Sequence, residues 1–461
     1  MEFEGEEMYN FDQLLTLFSV LLLLVVVFSF INEKTIKLPY EIGLVVFGFI
    51  FVVIYIIGRN LNLVHLPMEF INLYREFDFT DFLFKGILCF MLFSGASRIE
   101  FGDFRADKFL IGSMAVIGTV VSTVVYGLLF FGLGYLIHVN ITFLEACLLG
   151  SIVAPTDPIS AMSILAKAGL PKRIGLIIEG EALFNDGVAV AIFATLLTAL
   201  KLSSNSVSVI SFGWGLTTEI LGAVAVGFVV SFLLFEVFKR SSDNFIKIFT
   251  SLLTVMLAYL ICEYLVFSGP IAAVICGLYY ATGIAGMKRK NHKGMSEELH
   301  NLFYSFWSVV DNLLNGILFL LVGVILLNIK NINTLSLGMI FAIAIGSIVF
   351  NTIARFLGVY ASMIFNRNPP KGKGMRNSKF ITFMTWAGLK GGLCLALIMG
   401  TSISLATPTY NLFLVATYAI VLFTTVVQGL SVGKGYIFLS KNKVILKQKK
   451  KNYKIANKLI K

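Results

Sequence analysis

Residues 178–190 read Ile-Glu-Gly-Glu-Ala-Leu-Phe-Asn-Asp-Gly-Val-Ala-Val, inside an apolar run from about Ile174 to Leu200. Glu179, Glu181 and Asp186 therefore fall within a segment long enough to cross a bilayer. A charged side chain at that depth costs about 2.5–3.5 kcal/mol on insertion scales, so each is a functional candidate by default. A fourth carboxylate, Asp157, lies one segment earlier between two prolines, in Ala154-Pro155-Thr156-Asp157-Pro158.

The surrounding chain makes the membrane reading general. It has 461 residues, of which 57% are hydrophobic and 14% charged, with a mean hydropathy of +0.87. Too little polar surface is available to cover a soluble fold of that length. Apolar runs recur from end to end, at roughly 11–31, 41–58, 80–96, 109–137, 142–165, 174–200, 208–238, 244–266, 269–283, 301–328, 334–365, 379–402 and 408–438. Each can span a hydrocarbon core about 30 Å thick. The runs are continuous and lack period-two alternation, which excludes a β-barrel. The expected fold is an all-α polytopic membrane protein of about thirteen helices.

Charge supports that count. The odd-numbered loops hold about twenty Lys and Arg residues, whereas the even-numbered loops hold only Arg59, Arg75, Lys201 and Lys330. Under the positive-inside rule the odd loops face the cytoplasm, the acidic N-terminus lies outside and the C-terminus is cytoplasmic. The net charge of +11 is thus a topology signal and not a nucleic-acid face. The start carries Glu2, Glu4, Glu6 and Glu7 and no basic n-region, unlike a cleavable signal peptide. The Lys-rich segment 441–461 is expected to be a basic cytoplasmic tail, solvated or against anionic headgroups. Cys89, Cys147, Cys262, Cys276 and Cys394 all lie in apolar segments and read as packing thiols. His65, His138, His292 and His300 sit at span ends or in loops without ligand-like partners. No nucleophile, metal cluster or nucleotide loop is visible, so no enzyme and no cofactor is expected.

Pro155 and Pro158 should break the fifth helix, and broken backbone at membrane depth is tolerated only where it lines a cavity or is buried in protein. The break would bring the Thr156 hydroxyl, the Asp157 carboxylate and freed carbonyls together as an oxygen-rich site for a small hard cation. In the sixth segment Glu181 and Asn185 are four apart and share a face with Asp186 adjacent. Crowded carboxylates need a cation or a proton. Arg355 in the eleventh segment and Lys390 in Gly388-Leu389-Lys390-Gly391-Gly392 are candidates. The glycines interrupt the twelfth segment as the prolines interrupt the fifth. Interruptions in matching positions of two halves point to a secondary transporter's site. This divides the chain into a first repeat at 1–200, a linker helix at 201–243, a second repeat at 244–440 and the tail at 441–461. Glu236 reads as interfacial, while Asp311 with Asn312 and Asn315 could line the core.

Four motifs carry a resemblance: Ala-Pro-Thr-Asp-Pro (154–158), Glu-x-x-Phe-Asn-Asp (181–186), Ala-Arg-Phe-Leu-Gly-Val-Tyr (354–360) and Trp-Ala-Gly-Leu-Lys-Gly (386–391). In this order over nearly the whole chain, they resemble the NhaP/NHE branch of the monovalent cation:proton antiporters. The resemblance implies inverted repeats of six helices, unwound fifth and twelfth helices that cross, a homodimer, and exchange of Na⁺ or Li⁺ for H⁺; the short tail without regulatory domains favours a prokaryotic plasma membrane. Asp186 then corresponds to the ion- and proton-binding aspartate, with Asp157 and Thr156 supplying further oxygens. Asn185 resembles the asparagine of the electroneutral branch, and Glu181 with Arg355 resembles a buried structural ion pair. Lys390 stands where many members have arginine, and Ala182 where some have serine. The third segment lacks the acidic residue that some members place near the site. K⁺/H⁺ exchange and a cation channel are the alternatives.

Overall fold

The computed structural model describes residues 11–63, 87–99, 101–201, 209–289, 296–324, 336–365, 377–402 and 404–440. Among these residues the regular elements are all helical. In chain order they are α1 (Phe11–Lys34), α2 (Tyr40–Asn60), α3 (Leu88–Ser97) and α4, which joins Phe101–Ser113 to Thr119–Leu136 through a π-helical turn at Met114–Gly118. Next come the half-helices α5a (Phe143–Ile152) and α5b (Ile159–Lys167), then α6 (Lys172–Lys201) and α7 (Val209–Arg240). They are followed by α8 (Asn244–Leu265), α9 (Gly269–Arg289), α10 (Glu297–Val324) and α11 (Leu337–Ile364). The half-helices α12a (Asn377–Trp386) and α12b (Gly392–Met399) precede α13, which runs Thr407–Leu422, a π-helical stretch Phe423–Gln428, and Gly429–Ser440.

Each of the thirteen predicted segments thus coincides with a helix or a pair of half-helices. Residues 80–86 of the third lie outside the described residues, as do His65, His292 and the tail. Ten of the helices are long and apolar enough to cross a membrane. In hydrocarbon only a helix satisfies its backbone within one segment, which is why these sequences adopt nothing else. Ends are set by ordinary chemistry. Thr142 and Glu145 form a reciprocal capping box at α5a, and the Asp243 carboxylate accepts from the Phe245 amide at 2.6 Å at the start of α8.

The helices sort into two bodies that pack chiefly within themselves: α1–α3 with α7–α10, and α4–α6 with α11–α13. The first is centred on aromatic side chains. Trp307 of α10 lies 4.5 Å, ring to ring, from Phe93 of α3, and its indole N–H donates to Ser251 Oγ of α8 at 3.1 Å. Tyr280 of α9 stacks edge-on with Phe93 and with Phe238 of α7. In the second body the decisive contact is the close crossing of α4 and α11. A Cβ on Gly358 would lie 2.6 Å from the Gly118 carbonyl oxygen, so no larger residue fits without separating the helices. Small residues that admit close backbone approach are what holds helices together where no hydrophobic force acts between them. All five cysteines are buried and free, in keeping with a packing role. Between the bodies lies a cavity of about 390 Å³, lined by α3 and α10 on one side and by α6 and the breaks in α5 and α12 on the other.

Candidate functional site

The chain is not helical from Val153 through Pro158, nor from Ala387 through Gly391, as the prolines and glycines predict. The two breaks meet. The Asp157 amide donates to the Leu389 carbonyl at 2.8 Å, and the Lys390 ammonium donates to the Ala154 carbonyl at 2.8 Å. Each break therefore satisfies backbone groups that the other exposes. Lys390 is buried, and its positive charge sits where the C-terminal end of α5a directs its free carbonyls. A Cβ on Gly391 would stand 2.8 Å from Asp157 Cβ and 3.1 Å from its Oδ2. Gly391→Ala should therefore push the breaks apart and cost about 1–3 kcal/mol, the scale of overpacking a close-packed core. An unchanged thermal midpoint of Gly391→Ala in detergent would show that the crossing tolerates the shift.

Asp157 and Asp186 line the same cavity, together with Thr156. Asp186 Oδ1 is buried without a protein hydrogen-bond partner, and the residue shares the cavity lining with Thr156. A buried carboxylate oxygen with spare lone pairs is what a bound cation or proton would use. Asn185 has a different job in the geometry. Its Oδ1 accepts from the Thr119 hydroxyl at 2.7 Å, and its amide N–H₂ is shared by Thr156 Oγ1 at 3.2 Å, the Ala154 carbonyl at 3.3 Å and Glu181 Oε1 at 3.4 Å. The amide thus ties α4, the α5 break and α6 together.

Glu181 and Arg355 form a bidentate pair at 2.7 and 2.8 Å. Their side chains are only 1% and 7% exposed, so the pair is fully withdrawn from water. Both carboxylate oxygens of Glu181 are engaged, which removes it from the list of groups open to a cation. The cation partner that the crowded carboxylates require is found on α11, as the pattern of charges at depth implies. Gly388 lets the α12 break lie flat on this pair, since a Cβ there would sit 2.6 Å from Arg355 Nε.

Three site residues carry no signal in the sequence. Besides Thr119, Thr424 accepts from the Lys390 amide at 3.1 Å and Thr425 donates to the Lys390 carbonyl at 3.0 Å. Both belong to the π-helical stretch of α13 and clamp the α12 break at the lysine. Glu179 lines the cavity farther along α6, and Asp311 and Asn315 line it from α10. Asn312 points elsewhere, donating to the Ser308 carbonyl at 2.7 Å on its own helix. Glu236 is half-exposed and paired with Lys239 and Arg240.

The family described as "Sodium/hydrogen exchanger, transmembrane" matches residues 18–434. The chain belongs to the sodium/hydrogen exchanger family. Among the relatives of this exchanger is the Na⁺/H⁺ antiporter NhaP of Pseudomonas aeruginosa, 30% identical over 91% of this chain and 96% of that protein. The Na⁺/H⁺ antiporter NhaG of Bacillus atrophaeus is 30% identical over 87% of this chain and 70% of its own length. The sodium proton antiporter MjNhaP1 of Methanocaldococcus jannaschii, solved at pH 8, shares the fold. It superimposes with a TM-score of 0.71 at 18% identity, covering 92% of this exchanger and 98% of that chain.

Proposed function

We propose that this exchanger is a secondary active transporter that carries Na⁺ (or Li⁺) in one direction and H⁺ in the other through a shared site at Asp186 and Asp157. The observation that carries the reading is the orphaned, buried Asp186 Oδ1 on a cavity shared with Asp157, beside two broken helices. A carboxylate in that setting binds a cation or a proton but not both, and each expels the other. Thr156 and the freed carbonyls of the breaks are the neutral oxygens available to a hard monovalent cation, and no cofactor enters the cycle. Asn185, Glu181, Arg355 and Lys390 hold the breaks and α6 in register around it. With Asn185 neutral and Glu181 matched by Arg355, one charge moves each way and the cycle is electroneutral.

We read residues 1–200 and 244–440 as two repeats joined by 201–243, because the interrupted helix is the fifth of six in both. From the basic loops we read the N-terminus as outside the plasma membrane and the C-terminus as cytoplasmic, with Arg98 toward the cytoplasmic side. The exposed apolar faces of the helices suit lipid and a second copy of the chain, giving a homodimer. Proteoliposomes should show ΔpH-driven Na⁺ and Li⁺ movement that saturates, falls as protons compete, and ignores an imposed membrane potential. Strong acceleration by the potential would sink the electroneutral cycle. Preference for K⁺ would replace the ion, and unsaturable flux without a counter-ion would replace the class with a channel.

A further inference from the structure

Arg98 caps the C-terminal end of α3 and is the sole cationic side chain among the described residues lining the cavity. It reaches Asp311 Oδ2 of α10 at 3.1 Å and donates to Ser94 Oγ at 3.0 Å. Ser94 in turn donates to the Trp307 carbonyl at 2.9 Å, so the guanidinium is held by the aromatic core of the first helix body. Asp311 is buried and accepts from Asn315 at 3.0 Å, leaving it committed to Arg98 and this amide. Glu179 lines the same cavity from α6, on the wall opposite α3, and Glu41 of α2 is buried. Arg98 thus stands between carboxylates of both helix bodies, on the lining that leads to Asp186.

We propose that Arg98 is a tethered counter-cation that sets the apparent Na⁺ affinity from the face onto which this cavity opens, acting through Asp311 and Glu179 and not by contact with the ion. The inference rests on the exchange reading given above. A fixed positive charge on the wall of a low-dielectric cleft lowers the local concentration of a cationic substrate, and removing it does the reverse. Arg98 also competes with Na⁺ for the carboxylates it faces. Arg98 lies on the wall of this cavity, so ions arriving from the opposite face meet its field only through the intervening protein, and affinity from that face should move less.

The test measures Na⁺ KM and kcat in everted and right-side-out membrane vesicles. Arg98→Gln should lower the KM from the Arg98 face by about three- to tenfold, with kcat changed less than about twofold. The shift should shrink as choline chloride is added, because salt screens it. Arg98→Lys should keep a KM near that of the parent, and the pair Arg98→Gln with Asp311→Asn should return toward it, because charge is removed from both sides of the balance. Asp311→Asn alone, leaving Arg98 uncompensated, should raise the KM by a similar factor, and this variant decides the matter if Arg98→Gln does not fold. An unmoved KM in the single variants, equal shifts from both faces, or a shift indifferent to salt would overturn the proposal. Absence of Na⁺-dependent proton movement in parent vesicles would instead remove the exchange reading itself; parent exchange with an unmoved Arg98→Gln KM removes only this inference.

Discussion

Asp186→Asn protein is expected to insert and fold as the parent does and to lose Na⁺/H⁺ exchange, with rates at least about 10²-fold lower, the scale of deleting a key charge from a preorganised site. The substitution keeps the shape and replaces a carboxylate that can hold either a cation or a proton. An amide brings no charge to neutralise the cation and takes up no proton at physiological pH. Thermal stability in detergent should be equal or higher, because the change removes a buried charge whose Oδ1 has no protein partner. Loss of transport with stability kept separates this residue from a structural one. Asp157→Asn, on the same wall of the cavity, should also lose exchange. Retained exchange in Asp186→Asn would remove the central assignment.

Arg355→Ala should have the opposite signature: a large loss of stability, about 3–5 kcal/mol, the cost of stranding one member of a buried ion pair. The stranded carboxylate, Glu181, is 1% exposed and would lose both of its guanidinium bonds. Glu181→Ala should cost a similar amount by stranding the arginine, whereas replacing both by apolar residues of similar volume should recover much of it. Arg355→Lys keeps the charge but not the fork, and should fall between. Thermal unfolding in detergent reads all four, and an unchanged midpoint in Arg355→Ala would show that the pair contributes nothing. Transport should fall as well, since Glu181 Oε1 also receives the Asn185 amide that reaches the α5 break.

The membrane segments, their number and the two breaks were legible in the chain because the bilayer imposes a coarse rule. An apolar run of about 20 residues has one stable form there, and proline or glycine inside it interrupts that form at a readable place. The mid-span carboxylates were legible for the same reason, since their cost at depth demands a use. The pairing of Glu181 with Arg355 was accessible only as a need for some cation, joined to a resemblance; 174 residues separate the two in sequence.

Other features were invisible. Thr119, Thr424 and Thr425 are uncharged, so hydropathy does not mark them, and their value comes from lying opposite a backbone group that a break has freed. Arg98 counted toward loop charge in the sequence, yet folding turns it onto a cavity wall against Asp311, 213 positions later in the chain.

The sequence by itself determined that this chain is a bundle of membrane helices with acids at depth and two interrupted segments. Its local composition dictates those features whatever the packing. Only the tertiary structure decided which acids are already spoken for. Glu181 is consumed by Arg355 and Asp311 by Arg98, while Asp186 keeps a buried oxygen unpaired beside Asp157. Ionic partners that come from distant helices are chosen by three-dimensional proximity, and a one-dimensional pattern of charges does not encode it.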